Sequence, residues 1–397
     1  MGGLAVAKRR SAGRSGTGPA TGTKQRTPDR PAAGRGLRGH RRRKTFLRRA
    51  GCARNRLSGG RPKVSVTGAT ILGLAGPAPD PAERAFFRDA APWGFILFAR
   101  NVESPAQLRR LTGELRDLVG RAAPIFIDQE GGRVARLGPP QWRAWPSARA
   151  EVARAGPRRA PRVMWLRARL IAAELRAVGI DGNCAPLADL ATPDTHPVLA
   201  DRCYGDSVPG VVAAARATAE GLLAGGVLPV LKHIPGHGRA IADSHLELPV
   251  VDAPRDALYA GDFAAFAQLA DLPLAMTAHV IYTALDPEAA ATVSPAAIAE
   301  IRGRMGFSGL LMTDDISMRA LDGPLGARAA AARAAGCDVV LHCNGDRAEM
   351  QAVVDAAGSL EGRAAARAAD ALAARQAPGP ADPDALAAEY DALVADG

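Results

Sequence analysis

Eight short apolar, β-prone runs recur along this chain, and long Ala- and Arg-rich helical patterns lie between them. The runs cover residues 70–74, 94–98, 124–128, 179–185, 228–231, 274–279, 309–313 and 338–342. The helical patterns cover 81–90, 105–119, 158–177, 211–224, 255–269, 295–305 and 320–335. Regular strand–helix alternation implies βαβ units, because parallel strands need a long crossover between them. Eight such units predict an α/β fold, a single (β/α)8 barrel of the TIM type. A doubly wound sheet is the alternative. The Ala-rich stretch 352–396 is expected to form helices packed on the barrel exterior.

Barrels of this kind build their active sites at the C-terminal ends of the strands. Here those ends carry Arg100-Asn101, Asp128 through Arg133, Asn183, Lys232-His233, His279, Asp314-Asp315 and Cys343-Asn344. The strand interiors are almost wholly apolar, and a core alone would not place polar groups so regularly. Asp314 follows the buried run GLLMT. Two adjacent carboxylates leave one to cap the following turn and one to face a pocket as nucleophile or base. Asp314 takes the pocket and Asp315 the structural role. In IDQEGGRVAR, Gly131 and Gly132 allow a tight turn that returns Arg133 or Arg136 toward Asp128. Arg202 lies in the loop DRCYGD after the fourth strand. A Lys, Arg and Asp cluster that donates to and accepts from hydroxyls suits a sugar.

The densest chemistry lies in KHIPGHGRAIADSH, residues 232–245, which holds three of the chain's seven histidines. Lys232 and His233 end a strand, and Pro235, Gly236 and Gly238 then enforce a loop. Asp243 and His245 stand two residues apart, so in extended backbone they point the same way. A carboxylate beside an imidazole is an acid/base device that works near neutral pH. A metal-dependent hydrolase is a second reading, with His233, His237, Asp243 and His245 as zinc ligands. Pro-Gly between His233 and His237 removes the helical His-Glu-x-x-His geometry, and no metal or cofactor is assigned.

The net charge of +11 belongs to one end of the chain. Residues 1–63 hold 19 Lys and Arg against the single acid Asp29, which leaves 32 bases and 39 acids in the remainder. Residues 1–65 are therefore expected to be a disordered basic tail, with the start assigned too far upstream and the domain occupying 66–397. The tail's one aromatic, Phe46, argues against a stacking nucleic-acid binder. No apolar run reaches the roughly 18 residues of a membrane span. The five cysteines are scattered, without a CxxC pair, which fits a reducing compartment.

The pieces GFILFARN, IDQEGGRVARL, KHIPGHGRAIADSH and LMTDDISM, in this order and spacing, resemble glycoside hydrolase family 3. More narrowly they are similar to its single-domain bacterial β-N-acetylglucosaminidases of peptidoglycan recycling. The resemblance covers residues 67–357 or so, and the DSH piece is its most specific part. It implies a retaining, two-step mechanism. Asp314 would attack the anomeric carbon, and His245 would protonate the leaving oxygen and then activate water. Asp243 would orient and charge that histidine. Sugar contacts would come from Asp128, Arg136, Arg202, Lys232 and His233, with His237 shaping the loop. The implied substrate is a muropeptide carrying terminal N-acetylglucosamine, cleaved in the cytoplasm by a monomer with no cofactor, nucleic acid or membrane. Another β-glycosidase of the family is the alternative. Histidine as acid/base departs from the usual pair of carboxylates. The family's β-glucosidases use a glutamate from a second domain, for which this chain is expected to have no length left. Ile234 replaces the usual Phe, and Cys203-Tyr204 the common Ser-Phe. Neither change removes a charged group.

Overall fold

The computed structural model describes residues 66–242 and 247–395. The basic tail, Asp243 and His245 lie outside the described residues.

Nine strand segments form one parallel sheet: β1 (Gly68–Leu72), β2 (Pro92–Leu97), β3 (Ile125–Ile127), β4 (Gly182–Asn183), β5 (Leu228–Pro229), β6 (Leu231–Ile234), β7 (Leu274–Thr277), β8 (Leu310–Asp315) and β9 (Val339–His342). Their spatial order is β5-β4-β3-β2-β1-β9-β8-β7-β6. The two ends of that order, β5 and β6, are separated in the chain by Val230 alone. One stretch therefore pairs with β4 on one side and β7 on the other, which curls the sheet into a nearly closed barrel. Val230 N donates to Asn183 O at 3.1 Å, and Lys232 N donates to Pro186 O at 3.0 Å along the same seam. The expected TIM-type (β/α) barrel is the observed architecture.

Side chains alternate across each strand, so one set fills the barrel and the other meets the helices. Ile71, Ile96, Phe126, Met276, Met312 and Leu341 belong to one apolar cluster inside the barrel. The helix Pro105–Val119 shows how the outer layer forms. Ser104 caps its start by accepting from Gln107 N, Pro105 fills the first turn, and Gly120 ends it with φ +63°. Leu108, Leu111 and Leu115 recur at helical spacing and are buried against the sheet. Each contributes about 2 kcal/mol through the area it removes from water. A charged residue at Leu111 would break this packing.

The structure corrects several boundaries. The run 179–185 shrinks to Gly182–Asn183, because Gly179 at φ +79° still belongs to the end of the preceding helix. The helix expected from residue 158 is preceded by another that starts at Ala148, the two parted at Gly156, whose φ +69° and ψ 164° are not helical. The pattern 255–269 is two short helices, Arg255–Ala260 and Asp262–Ala267, broken at Gly261. The helix expected over 320–335 starts at Leu325, after Gly323-Pro324. The C-terminal stretch forms Arg347–Ala357, Gly362–Ala374 and Pro383–Ala395. The second of these packs over the end of the barrel rather than its side. Its Ala368 and Ala371, with Leu360 just before it, join the barrel-interior cluster. Arg367 and Arg375 pin it to Asp338 and Asp181, each one residue before a strand, so it closes the N-terminal mouth. The opposite, C-terminal mouth stays open as a cleft.

Candidate active site

β3 delivers Asp128 to the rim, and the chain then turns back in an antiparallel hairpin of Gln129–Gly131 with Val134–Ala135. The Gln129 side chain locks the turn, accepting from Arg136 N at 2.9 Å and Leu137 N at 3.0 Å. Gly131 adopts φ +100°, and a Cβ there would sit 2.0 Å from Arg167 Nη2, so only glycine fits. The hairpin brings Arg136 Nη2 to 3.0 Å from Asp128 Oδ2. Arg133 also lines the cleft mouth, half exposed and paired with Asp201 at 3.5 Å.

Under the cleft floor the charges form a chain. Lys232 Nζ lies 3.2 Å from Asp128 Oδ1 and 2.6 Å from Glu130 Oε1. Arg202 grips Glu130 with both arms, Nε to Oε2 at 2.9 Å and Nη2 to Oε1 at 2.8 Å. Burial alone would raise the pKa of Glu130, but Arg202 and Lys232 hold it well below the usual carboxylate range. Asp128 follows the same logic, with Lys232 and Arg136 outweighing its burial. The same carboxylates raise the pKa of Lys232 against its desolvation, so it stays an ammonium.

Asp314, next to last in β8, faces this cluster, its Oδ1 accepting from Asp315 N at 2.8 Å. Burial pushes its pKa up, but His233, His279 and the Asp315 amide pull it below normal, which leaves an ionised carboxylate. Asp315 also lines the cleft, but its carboxylate is engaged in structure. It accepts from Ser317 Oγ at 2.7 Å and Cys343 N at 3.1 Å. His279 is held between Thr292 Oγ1 and Asp315 O, and burial lowers its pKa.

Six of the eight residues singled out from the sequence, Asp128, Arg136, Arg202, Lys232, His233 and Asp314, line one cleft of about 470 Å³. Its other wall is apolar, with Ile96, Phe98, Met276 and Leu341. Cationic donors on one side, an apolar wall on the other and an ionised carboxylate at the floor suit a neutral polyhydroxylated ligand. His237 is buried against His233, ring centroids 5.6 Å apart, and its amide donates to Asp189. Among the described residues no group of three or more His, Cys, Asp or Glu could hold a metal. His233 Nδ1, a member of the metal alternative, is committed to Asp189 at 2.8 Å. Ile234, Cys203 and Tyr204, the departures noted above, are all buried in the core.

Sequence reasoning missed two acids. Glu130 reads as one more polar residue of a Gly-broken turn, and Asp189 as a lone acid in the apolar run APLADL. The available signal was that an acid inside an apolar run at a strand end needs a partner. No helix of the described residues is long and apolar enough to cross a membrane.

Residues 74–375 match the glycosyl hydrolase family 3 N terminal domain. A beta-hexosaminidase of Alkalilimnicola ehrlichii is 41% identical over 283 residues, which are 70% of this chain and 81% of that protein. One of Methylococcus capsulatus is 41% identical over 281 residues, 69% of this chain and 82% of that protein. Among solved structures, NagZ from Neisseria gonorrhoeae in complex with N-trifluoroacetyl-D-glucosamine superposes with a TM-score of 0.72 at 29% identity. It covers 83% of this chain and 97% of its own.

Proposed function

Since the chain belongs to glycosyl hydrolase family 3, we propose that it is a retaining exo-β-N-acetylglucosaminidase releasing terminal N-acetylglucosamine from peptidoglycan fragments. That it is a glycosidase follows from the family and from its beta-hexosaminidase relatives. The finer reading rests on one observation: an ionised Asp314 closes the floor of a cleft walled by Asp128, Arg136, Arg202, Lys232 and His233.

In this reading Asp314 attacks the anomeric carbon and the glycosidic bond breaks. His245, charged by Asp243, gives its proton to the leaving oxygen. A glycosyl-enzyme forms, and a water deprotonated by His245 then releases the sugar with its configuration retained. Asp128 accepts from sugar hydroxyls, and Lys232, Arg136, Arg202 and the His233 ring orient the ring above Asp314. No metal or cofactor takes part. The working form in this proposal is a cytoplasmic monomer acting on muropeptides.

The test is hydrolysis of 4-nitrophenyl β-N-acetylglucosaminide beside the matching β-glucoside, with the anomer first released read by NMR. Preference for the N-acetyl sugar and release of the β-anomer are expected. A preference for the glucoside would make the protein another β-glycosidase of the family. Release of the α-anomer would end the covalent mechanism.

A further inference from the structure

One buried acid has no task in that scheme. Asp189 is fully buried, in the segment that follows β4. Its carboxylate collects three donors. Oδ1 accepts from the His237 amide at 2.6 Å, and both oxygens lie 3.2 Å from the His233 amide. Oδ2 lies 2.8 Å from His233 Nδ1. Burial would favour the protonated acid, but His233 and His237 hold its pKa below the usual value. An ionised carboxylate has no proton to give, so Nδ1 carries the third hydrogen. The other ring nitrogen, Nε2, is thereby left for the cleft that His233 lines.

The same acid sits at a backbone joint. A Cβ on Gly238 would fall 1.7 Å from Leu190 O, so the two strands of chain pass in direct contact there. Thr195 Oγ1 donates to Gly238 O at 2.6 Å, and His196 N donates to Ala240 O at 3.4 Å. Residues 189–196 thus form the seat on which residues 237–240 rest.

We propose that Asp189 is a positioning residue for the reaction, locking His233 as the Nδ1–H tautomer with Nε2 toward the sugar and fixing the seat of the loop 237–240. This rests on the cleft being the sugar site. The carboxylates that orient metal-bound imidazoles are typically worth about 10–100-fold in affinity or activity, and by analogy a loss of that size is expected for His233.

The test uses the full chain labelled with ¹⁵N-histidine, the His233 signals being assigned by their loss in His233→Gln. In the wild type, His233 should appear with its hydrogen on Nδ1. In Asp189→Asn that tautomer should be lost, and kcat/KM for the N-acetyl substrate should fall about 10–100-fold. In a His233→Gln background, Asp189→Asn should cost much less. An Nε2–H tautomer in the wild type overturns the proposal, and this result stands even if the variant does not fold. So does a folded Asp189→Asn protein with kcat/KM within twofold of wild type. So does an equal loss with and without His233. If the wild type cleaves no β-N-acetylglucosaminide, the functional reading falls, and with it the role in the reaction. The tautomer measurement then still decides whether Asp189 holds His233.

Discussion

Lys232 Nζ lies 2.6 Å from Glu130 Oε1, and both groups are buried. The contact makes Glu130 the hinge of the charged cluster under the cleft, because the same carboxylate also holds Arg202 in a two-armed grip. Removing one partner of such a cluster leaves buried charge uncompensated. Glu130→Gln should therefore destabilise the fold by about 3–5 kcal/mol, read by urea unfolding. Activity should fall as well, since Lys232 and Arg202 lose their anchor. A stability loss under about 1 kcal/mol would show that the cluster relaxes around the change.

The adjacent acids Asp314 and Asp315 should separate cleanly. Both line the cleft, but the Asp315 carboxylate is taken up by Ser317 and the Cys343 amide, whereas Asp314 accepts, among the described residues, only from the Asp315 amide. Asp314→Asn should lower kcat on the order of 10⁴–10⁶-fold, the range seen when a nucleophile or its partner is removed, with the unfolding midpoint near wild type. Asp315→Asn should retain far more turnover and instead cost about 1–3 kcal/mol of stability. Near-normal turnover by Asp314→Asn would remove it as the nucleophile.

Stability should decline on mild acidification. Burial, then the neighbouring His233, lower the pKa of His237 to about 4. An unfolded histidine takes up its proton near 6.5. As pH falls from about 6.5 to 4, the unfolded chain gains a proton that the folded one refuses. Stability is thus full above that window and lost within it, by at most about 1.4 kcal/mol per pH unit for this residue. His279, also lowered by burial, acts in the same direction. The depressed carboxylates Asp128, Glu130, Asp189 and Asp314 act lower. Their stabilisation is full above the ordinary carboxylate range and lost as pH drops through and below it. Unfolding curves between pH 7 and 4.5 should show the slope, and His237→Gln should flatten it. An unchanged slope would mean that His237 is not the group responsible.

The barrel was legible because each strand stops where apolar residues give way to polar ones. Asp128 and Asp314 mark such stops, whereas Lys232, expected at a strand end, lies inside β6, which runs on to Ile234; proximity at the mouth then follows from barrel geometry. Pairings across the chain were not legible. Glu130 meets Arg202 at a separation of 72 residues, and Asp189 meets His233 at 44. No local pattern encodes contacts that closure alone creates. Which part of the barrel the helix Gly362–Ala374 covers was not legible either, since its alanines fit a narrowing mouth as well as a flank.

The last prediction concerns His245, whose role comes from the family resemblance and its spacing from Asp243. If it is the acid/base, His245→Ala should hurt least where the leaving group needs no proton. A nitrophenolate departs unaided, so formation of the glycosyl-enzyme survives loss of the acid. A sugar alkoxide does not depart unaided, so cleavage of a natural disaccharide should fall much further. General acid/base help is worth about 10²–10⁴-fold, and the gap between the two substrates should be of that size. Asp243→Asn should give a weaker version, because the imidazole remains but loses its charge partner. Azide needs no general base, so it should speed the second step in His245→Ala and yield a glycosyl azide. A purely structural His245 predicts equal losses on both substrates and no response to azide. That result, in protein shown to be folded, would move the acid/base role to a residue that lines the cleft.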